Sequence, residues 1–348
     1  MIFDNKQLPF VHKIIFPKMM LFGEKGEAFL KNFDTKHGYL FISEAFYKAH
    51  RNNDWIEGEF KRKVVRSSEP TGEDVILFNK EIKKVNPDFV VAIGGGSVID
   101  LAKLSRGNEN VTFIVLPTTI GSGAEVSQHA VFTENGVKKS SSSFAYLPDL
   151  VIINPKYLDS LTEEQIVLQS LDGFSHALES LASKMSHPFS DDLALRAVQI
   201  FFNSLREIKS GKSLREEVSG FQRASILAGL AQSSVGVGLV HALAHVLGPA
   251  AVISHAEVVS MFLLDVLELN LSHTDAYQKI DTLSGVSFGD LVDSIRFSHQ
   301  KAGPKRLTLP NGVAVEEVAE KVRRDINIFT NPYLPTTQEI TNIIRKHL

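Results

Sequence analysis

The segment "PDFVVAIGGGSVIDLAK", Pro87 to Lys103, restricts the fold more than any other stretch of the chain. An apolar run enters three consecutive glycines and leaves them as a helical pattern, which reads as strand, tight turn and helix in immediate succession. Around it, from about residue 12 to residue 155, short apolar runs alternate with amphipathic stretches: "GYLFISE", "GEDVILFNKEIKKV", "VTFIVLPTT" and "PDLVIINP". Apolar strands spaced by helices predict a parallel sheet covered by helices on both faces. Beyond "VIINPKYLDS" the texture changes. Stretches such as "LTEEQIVLQSLDGFSHALESLASKM" and "EEVSGFQRASILAGLAQSSV" carry apolar residues at three- and four-residue spacing, with almost no strand signal. The second half is therefore expected to be all helix. "KKSSSSF", Lys138 to Phe144, reads as a polar loop, and the Gly248-Pro249 pair is expected to end the helix that precedes it.

Bulk properties narrow the partners. With 348 residues, two domains are the natural expectation. A net charge of −3 without any long basic run gives no footprint for nucleic acid or an anionic membrane. The chain has no cysteine, so it has neither disulfides nor a thiolate site, and any tightly held metal must use nitrogen and oxygen donors. The opening "MIFDNKQLPFVHKIIFPKMMLFG" is interrupted by Asp4, Pro9, Lys13 and Pro17, which argues against a signal peptide or a spanning segment and for a cytoplasmic protein.

Glycines at a strand-to-helix turn let the backbone approach an anion closely, and the helix start offers N–H groups at the positive end of its dipole. Gly94, Gly95, Gly96 and Ser97 form one such turn; "IVLPTTIGSGAE" supplies a second, with Thr118, Thr119, Gly121, Ser122 and Gly123. Paired turns at neighbouring strand ends predict a nucleotide site. Glu44, at the end of "GYLFISE", is placed where a carboxylate would accept from an adenosine ribose and repel a 2′-phosphate, favouring NAD over NADP; a solvated charge at a strand end fits the position equally well. Residues 1–157 are accordingly expected to form an α/β dinucleotide-binding domain, and 158–348 a helical metal-binding and catalytic domain.

The metal expectation comes from "QSLDGFSHALESLAS", which aims Asp172 and His176 from one helical face, with Glu179 one turn on. "HALAH" repeats the spacing with His241 and His245, and His255 follows after "VLGPAAVIS". Any one of these histidines could be an ordinary hydrogen-bonded residue, but five candidate groups in two clusters point to a divalent Fe, Zn, Mn or Co ion. His187 and His299 read as surface residues.

Together, "GGGSVIDLAK", "PTTIGSGAE", "DGFSHALES" and "GLVHALAHVLG" followed by "SHAE" resemble the iron-containing (group III) alcohol dehydrogenases, which share their architecture with dehydroquinate synthase and glycerol dehydrogenase. The resemblance runs from "MLFGEKG" to "TNPYLPTTQEI". It implies a dehydroquinate synthase-like fold with a metal in the cleft between an NAD-binding domain and a helical domain. Carried over by position, the ligands are Asp172, His176, His241 and His255, holding Fe2+ or alternatively Zn2+. His245 falls near the nicotinamide and substrate, where it would relay a proton. Gly95, Gly96 and Ser97 fall on the pyrophosphate turn, Thr118, Thr119 and Ser122 on the second cofactor loop, Lys138 at the cofactor ribose, and Glu179 behind the ligands.

The implied activity is hydride transfer between NAD(P)(H) and a primary or functionalised alcohol or aldehyde, in a homodimer or higher homo-oligomer. Two departures stand out: Glu69 where relatives often carry Asn, and Gln128 and His129 beside the expected nicotinamide pocket. Lys305 and Arg306 are candidate carriers of a substrate anion. The rival readings are a dehydroquinate synthase-like cyclase or sugar- or glycerol-phosphate dehydrogenase on the same scaffold, and a non-catalytic NAD- and metal-binding paralogue.

Overall fold

A computed structural model of the protein describes residues 13–348 except 67, 107–110, 135, 252, 304 and 305. Internal contacts divide the chain between Leu161 and Thr162, just past the Pro155 to Asp159 stretch where the texture changes. The first unit is built on a six-stranded parallel sheet: β1 (Met19–Phe22), β2 (Gly38–Ser43), β3 (Arg62–Arg66), β4 (Phe89–Gly94), β5 (Thr112–Pro117) and, after a hairpin, β8 (Leu150–Ile153), in the order β1-β8-β5-β4-β2-β3. Its helices are α1 (Gly23–Glu27), α2 (Glu44–Ala49), α3 (Gly72–Val85) and α4 (Gly96–Arg106). Along β4 the side chains alternate between two cores: Val90 and Ala92 pack with Val98, Ile99 and Phe113, while Phe89, Val91 and Ile93 pack with Leu40, Ile114 and Leu150. A strand buried on both faces needs an unbroken apolar run, which is why "FVVAI" shows no alternation.

The strand order reverses between β2 and β4. The chain leaves β2 toward β3 on one side and leaves β4 toward β5 on the other, so their carboxyl ends flank a crevice, the switch point at which open α/β sheets bind ligands.

The expected polar loop at Lys138 to Phe144 is corrected. Val137–Ser142 forms β7, paired antiparallel with β6 (His129–Glu134), with Glu134 opposite Val137. The overlooked signal is the Asn-Gly dipeptide at 135–136, a two-residue hairpin sequence, and Gly136 has the φ of +73° that such a turn favours. Serines and lysines suit this strand because the hairpin stands apart from the main sheet and exposes most of β7.

The second unit has no strand among its described residues. Its helices are α5 (Glu163–Ala182), α6 (Pro188–Lys209), α7 (Leu214–Val235), α8 (Leu239–Ala251), α9 (His255–Leu271), α10 (Phe288–Ala302), α11 (Val315–Arg323) and α12 (Thr337–Arg345). Capping boxes open α5, α6, α7, α9 and α12. His187, expected on the surface, is half-buried and accepts from Ser190 N at the start of α6. Gly248-Pro249 does not end α8: the helix runs to Ala251 with Pro249 inside it. Proline removes a single N–H donor, and here the helix persists for two residues before stopping. Among the described residues no single helix is long and apolar enough to cross a membrane.

Candidate metal centre and cofactor turns

α5 is locked at its start by Thr162 and Gln165 and is buried from Ser170 to Ala182, so Asp172, His176 and Glu179 project from one face of a fixed rod. α7 and α8 meet at a bend of 98°. At the bend, Asn331 Oδ1 accepts from Leu239 N at 3.1 Å and Glu179 Oε1 from Val240 N at 2.7 Å, satisfying the first donors of α8. Only glycine fits beside them: a Cβ on Gly238 would sit 2.7 Å from Asn331 Oδ1 and 3.0 Å from Glu179 Oε1. α8 then presents His241 and His245, and His255 is the first residue of α9, fixed by the Ser254–Glu257 capping box.

These elements bring the ligand candidates together. One donor atom from each of Asp172, His176 and His241 lies within 4.8 Å of the others, and all three residues are buried. The His176 and His241 rings stack at 4.5 Å with an interplanar angle of 19°. Asp172 Oδ1 is 3.6 Å from His241 Nε2 and 3.5 Å from His255 Nε2. Four donors about 2.1 Å from a shared ion at tetrahedral angles would be about 3.4 Å apart; the two distances from Asp172 Oδ1 match that value, although His255 lies outside the group of three whose donors are all within 4.8 Å of one another. Asp172 Oδ1 and His241 Nε2 are buried and, among the described residues, make no hydrogen bond, facing each other only at ion-pair distance. Two facing buried polar atoms without a hydrogen bond are uncommon in a core and are what a metal-binding pair shows when no ion lies between them.

Charge agrees. Burial opposes ionisation of Asp172, but His241, His176 and His255 overcome it and hold its carboxyl well below the usual carboxylate range. Burial also opposes a proton on His241, yet the Glu179 and Asp172 carboxylates push that ring up to about 10. The cluster thus favours positive charge, with Glu179 Oε2 2.6 Å from His241 Nδ1 and Nε2 turned towards Asp172. Carboxylate and imidazole donors without thiolate fit divalent iron or zinc.

His245 stands apart from the set. Its Nδ1 is 3.0 Å from Asn327 Nδ2 and 3.4 Å from Asp325 Oδ2, and its ring centroid is 6.0 Å from that of His255. Neither Asp325 nor Asn327 was marked by spacing or periodicity; they follow a helix end, where polar residues are ordinary.

In the first unit the two glycine-bearing turns touch. A Cβ on Gly95 would lie 2.8 Å from Thr119 Cγ2 and one on Gly96 3.1 Å from Ser122 Cβ, while Thr118 N donates to Gly94 O at 3.0 Å. Gly95, Gly96, Ser97, Thr119 and Ser122 are half-buried and Thr118 is buried, so the cradle is open on one side at the start of α4. Glu44 is the first residue of α2, at the end of β2, with Oε1 2.5 Å from Lys48 Nζ. Lys138 and Glu69 prove to be partners, Nζ to Oε1 at 2.8 Å. His129 Nδ1 is 2.6 Å from Ser142 Oγ across the hairpin, and Gln128 is buried. Arg306 is exposed, and Lys305 lies outside the described residues.

A further network joins these parts. Lys103 is buried and donates to Ser127 O at 3.0 Å and His129 O at 2.7 Å, tying α4 to the segment between the second turn and the hairpin. Asp100 Oδ2 accepts from Val131 N at 3.0 Å, and burial pushes its carboxyl up to about 6 despite Lys103. Its sequence signal is the i, i+3 charge pair Asp100 and Lys103 set among the apolar residues of α4.

Comparison with known proteins fits both halves. The pattern described as iron-containing alcohol dehydrogenase matches residues 28–155, and the one described as Fe-containing alcohol dehydrogenase family, C-terminal, matches residues 166–348. The chain belongs to the iron-containing alcohol dehydrogenase family. The resemblance seen in the motifs is borne out, as is the fold expected from it. An alcohol dehydrogenase of Thermococcus barophilus is 26% identical over 370 residues, covering 94% of this chain and 97% of its own. A 1-propanol dehydrogenase of Citrobacter freundii is 33% identical over 210 residues, 58% of this chain and 57% of its own. The iron-containing alcohol dehydrogenase structure from Thermococcus thioreducens superposes with a TM-score of 0.83 at 25% identity, covering 96% and 99% of the two chains. A sulfoacetaldehyde reductase from Bifidobacterium kashiwanohense, solved with NAD+, shares the fold at a TM-score of 0.80 and 21% identity over 97% and 98%. The protein is a metal-dependent alcohol oxidoreductase that works with NAD(P).

Proposed function

We propose that Asp172, His176, His241 and His255 hold a divalent ion, Fe2+ first and Zn2+ on the same donors, and that the protein interconverts a primary or functionalised alcohol and its aldehyde with NAD(H). The observation that carries this reading is the buried pair Asp172 Oδ1 and His241 Nε2, which makes no hydrogen bond among the described residues and lies beside two further imidazoles. When bound, the ion polarises the substrate oxygen while the nicotinamide accepts or returns the hydride. The residues do the rest. Glu179 fixes the His241 tautomer by taking Nδ1–H, so that Nε2 faces the ion. Gly95, Gly96 and Ser97 admit the pyrophosphate to the start of α4, and Thr118, Thr119 and Ser122 close the second side of the cradle.

Glu44 selects NAD over NADP at the end of β2. Glu69 and Glu44 would both repel a 2′-phosphate, and two cations beside Glu69 are engaged: Lys138 with Glu69 itself and Arg66 Nη1 with Asp74 Oδ1 at 2.6 Å. Lys138 reaches the ribose by giving up part of its pairing with Glu69. His245 takes the hydroxyl proton from the alcohol at Nε2 during oxidation and returns it in reduction. We place the enzyme in the cytoplasm as a homodimer or higher homo-oligomer.

The experiment is elemental analysis of purified protein followed by NADH and NADPH oxidation with small, sugar-derived and anionic aldehydes. His255→Ala is expected to lose metal and activity together, whereas His245→Ala keeps the metal and loses turnover. A His255→Ala protein with full metal content would overturn the ligand assignment, and a metal-loaded protein inert toward every aldehyde would leave the non-catalytic paralogue.

A further inference from the structure

We propose that Asp325 and Asn327 are positioning residues that grip the His245 ring by Nδ1, fix its tautomer, and leave Nε2 as the nitrogen that meets substrate. The proposal rests on the reading of His245 given above and concerns how the ring is held.

Both residues belong to one short turn. Asp325 caps the 3-10 turn Ile326–Phe329, its Oδ1 accepting from Asn327 N at 2.9 Å, which leaves Oδ2 facing His245 Nδ1 at 3.4 Å. Asn327 brings its side-chain Nδ2 to 3.0 Å from the same nitrogen, where the NH2 donates whenever Nδ1 carries no proton. His245 Nε2 makes no hydrogen bond among the described residues, and the side chains of His245 and Asp325 are only 12% and 14% exposed. The turn is itself pinned: the single Thr330 Oγ1 proton is shared between Asn327 O and Val237 O, and buried Asn331 holds Leu239 N while exchanging hydrogen bonds with Asn270 at 2.9 and 3.2 Å. The ring is therefore clamped by a segment anchored at the start of its own helix.

The chemistry of the two partners is complementary. A carboxylate only accepts, so Asp325 favours the tautomer with the proton on Nδ1 and a bare Nε2, the form able to take a hydroxyl proton. An amide can present either end, so by rotating about its terminal torsion Asn327 accepts from Nδ1–H when the ring carries that proton and donates to Nδ1 when it does not. One acceptor and one adaptable partner on the same nitrogen let the ring change state at Nε2 without moving. A carbonyl or carboxylate orienting the second nitrogen is the usual device for fixing a functional imidazole.

The test uses zinc-loaded, full-length enzyme with 15N-labelled histidine. Asp325→Asn is the informative variant, because Asn also caps turns and helix starts well, so the turn survives while the charge is lost. The native enzyme is expected to show His245 protonated on Nδ1; Asp325→Asn should move population to the Nε2–H tautomer, Asn327→Ala, which removes a group able to donate to Nδ1, should not, and both should lower kcat about tenfold and leave metal content and the KM for NADH within about twofold. In a His245→Ala background the same substitutions should change kcat less than twofold, since they act through that ring. Equal losses in both backgrounds overturn the proposal while leaving His245 in its role. Full turnover of His245→Ala alone removes the proton-handling role, and unchanged nitrogen shifts in Asp325→Asn then remove the positioning as well.

Discussion

Substituting Glu179 with Gln isolates one carboxylate with two jobs. Oε2 accepts from His241 Nδ1 at 2.6 Å and Oε1 from Val240 N at 2.7 Å. A carboxylate can accept both, but an amide cannot. If its oxygen stays on Val240 N, the NH2 group meets Nδ1–H; if it turns to His241, the NH2 meets Val240 N–H. Either way one donor–donor contact replaces a buried hydrogen bond to a charged acceptor, a loss of about 1.5–3 kcal/mol. Part falls on metal binding, because the Nδ1 bond sets the tautomer that points Nε2 at the ion; changes to such partners cost roughly 10–100-fold in affinity, or about 1.4–2.7 kcal/mol. The rest destabilises the start of α8 in the metal-free protein. The assay is competition for Zn2+ with a chromophoric chelator, paired with thermal unfolding of metal-free and loaded protein. Glu179→Gln should bind more weakly by one to two orders of magnitude and show a lower Tm in both forms. Affinity within twofold of native with an unchanged Tm would refute the dual role.

Other outcomes follow from the same geometry. Gly95→Ala puts a Cβ 2.8 Å from Thr119 Cγ2, an overpacking of about 1–3 kcal/mol, so the Kd for NADH by fluorescence titration should rise roughly tenfold while metal content stays constant. Lys103→Met strands the Ser127 and His129 carbonyls and should lower stability to urea by about 3–5 kcal/mol; a loss under 1 kcal/mol would remove Lys103 as the tie between α4 and the hairpin. In metal-free protein, Asp172, held low, contributes stability above its ordinary value near 3.8 that is lost in acid, while His241, raised to about 10, contributes stability that is full below 6.5 and lost as pH rises toward 10. A bound ion takes the place of the His241 proton, so the Tm gap between loaded and metal-free protein should widen from pH 6.5 to 9; a gap that narrows would contradict the assignment.

Fold and site were unequally legible in the sequence. The main-sheet strands announced themselves because a strand buried on both faces must be apolar throughout, and "FVVAI" and "FIVLP" are. β7 hid because its exposure pattern asks for lysine and serine, the residues that also make loops; only the Asn-Gly dipeptide at 135–136 betrayed it. Asp172 and His176 were visible because helical geometry ties i to i+4. Their convergence with His255, 83 residues on from Asp172, depends on the bend at Gly236–Gly238 and on the cap of α9, which local spacing does not encode. Asp325 and Asn327 carried no signal at all, since a polar pair after a helix is indistinguishable from any other until the turn is seen against His245.

The second carboxylate of α5 explains why the proposed metal cluster and the helix break are one structure. α8 needs acceptors for its first N–H groups at a sharp bend, where the chain itself supplies none, and His241 needs an acceptor at Nδ1 to turn Nε2 inward. Glu179, seven residues from Asp172 and so on the same face of α5, meets both needs with one side chain. Gly238 follows from that choice, because the carboxylate can reach Val240 N only where no Cβ stands in the way. A site assembled this way cannot lose its geometry without loosening the start of α8, so weakening of the ligand set and fraying of that helix should appear together in hydrogen exchange at Leu239 and Val240.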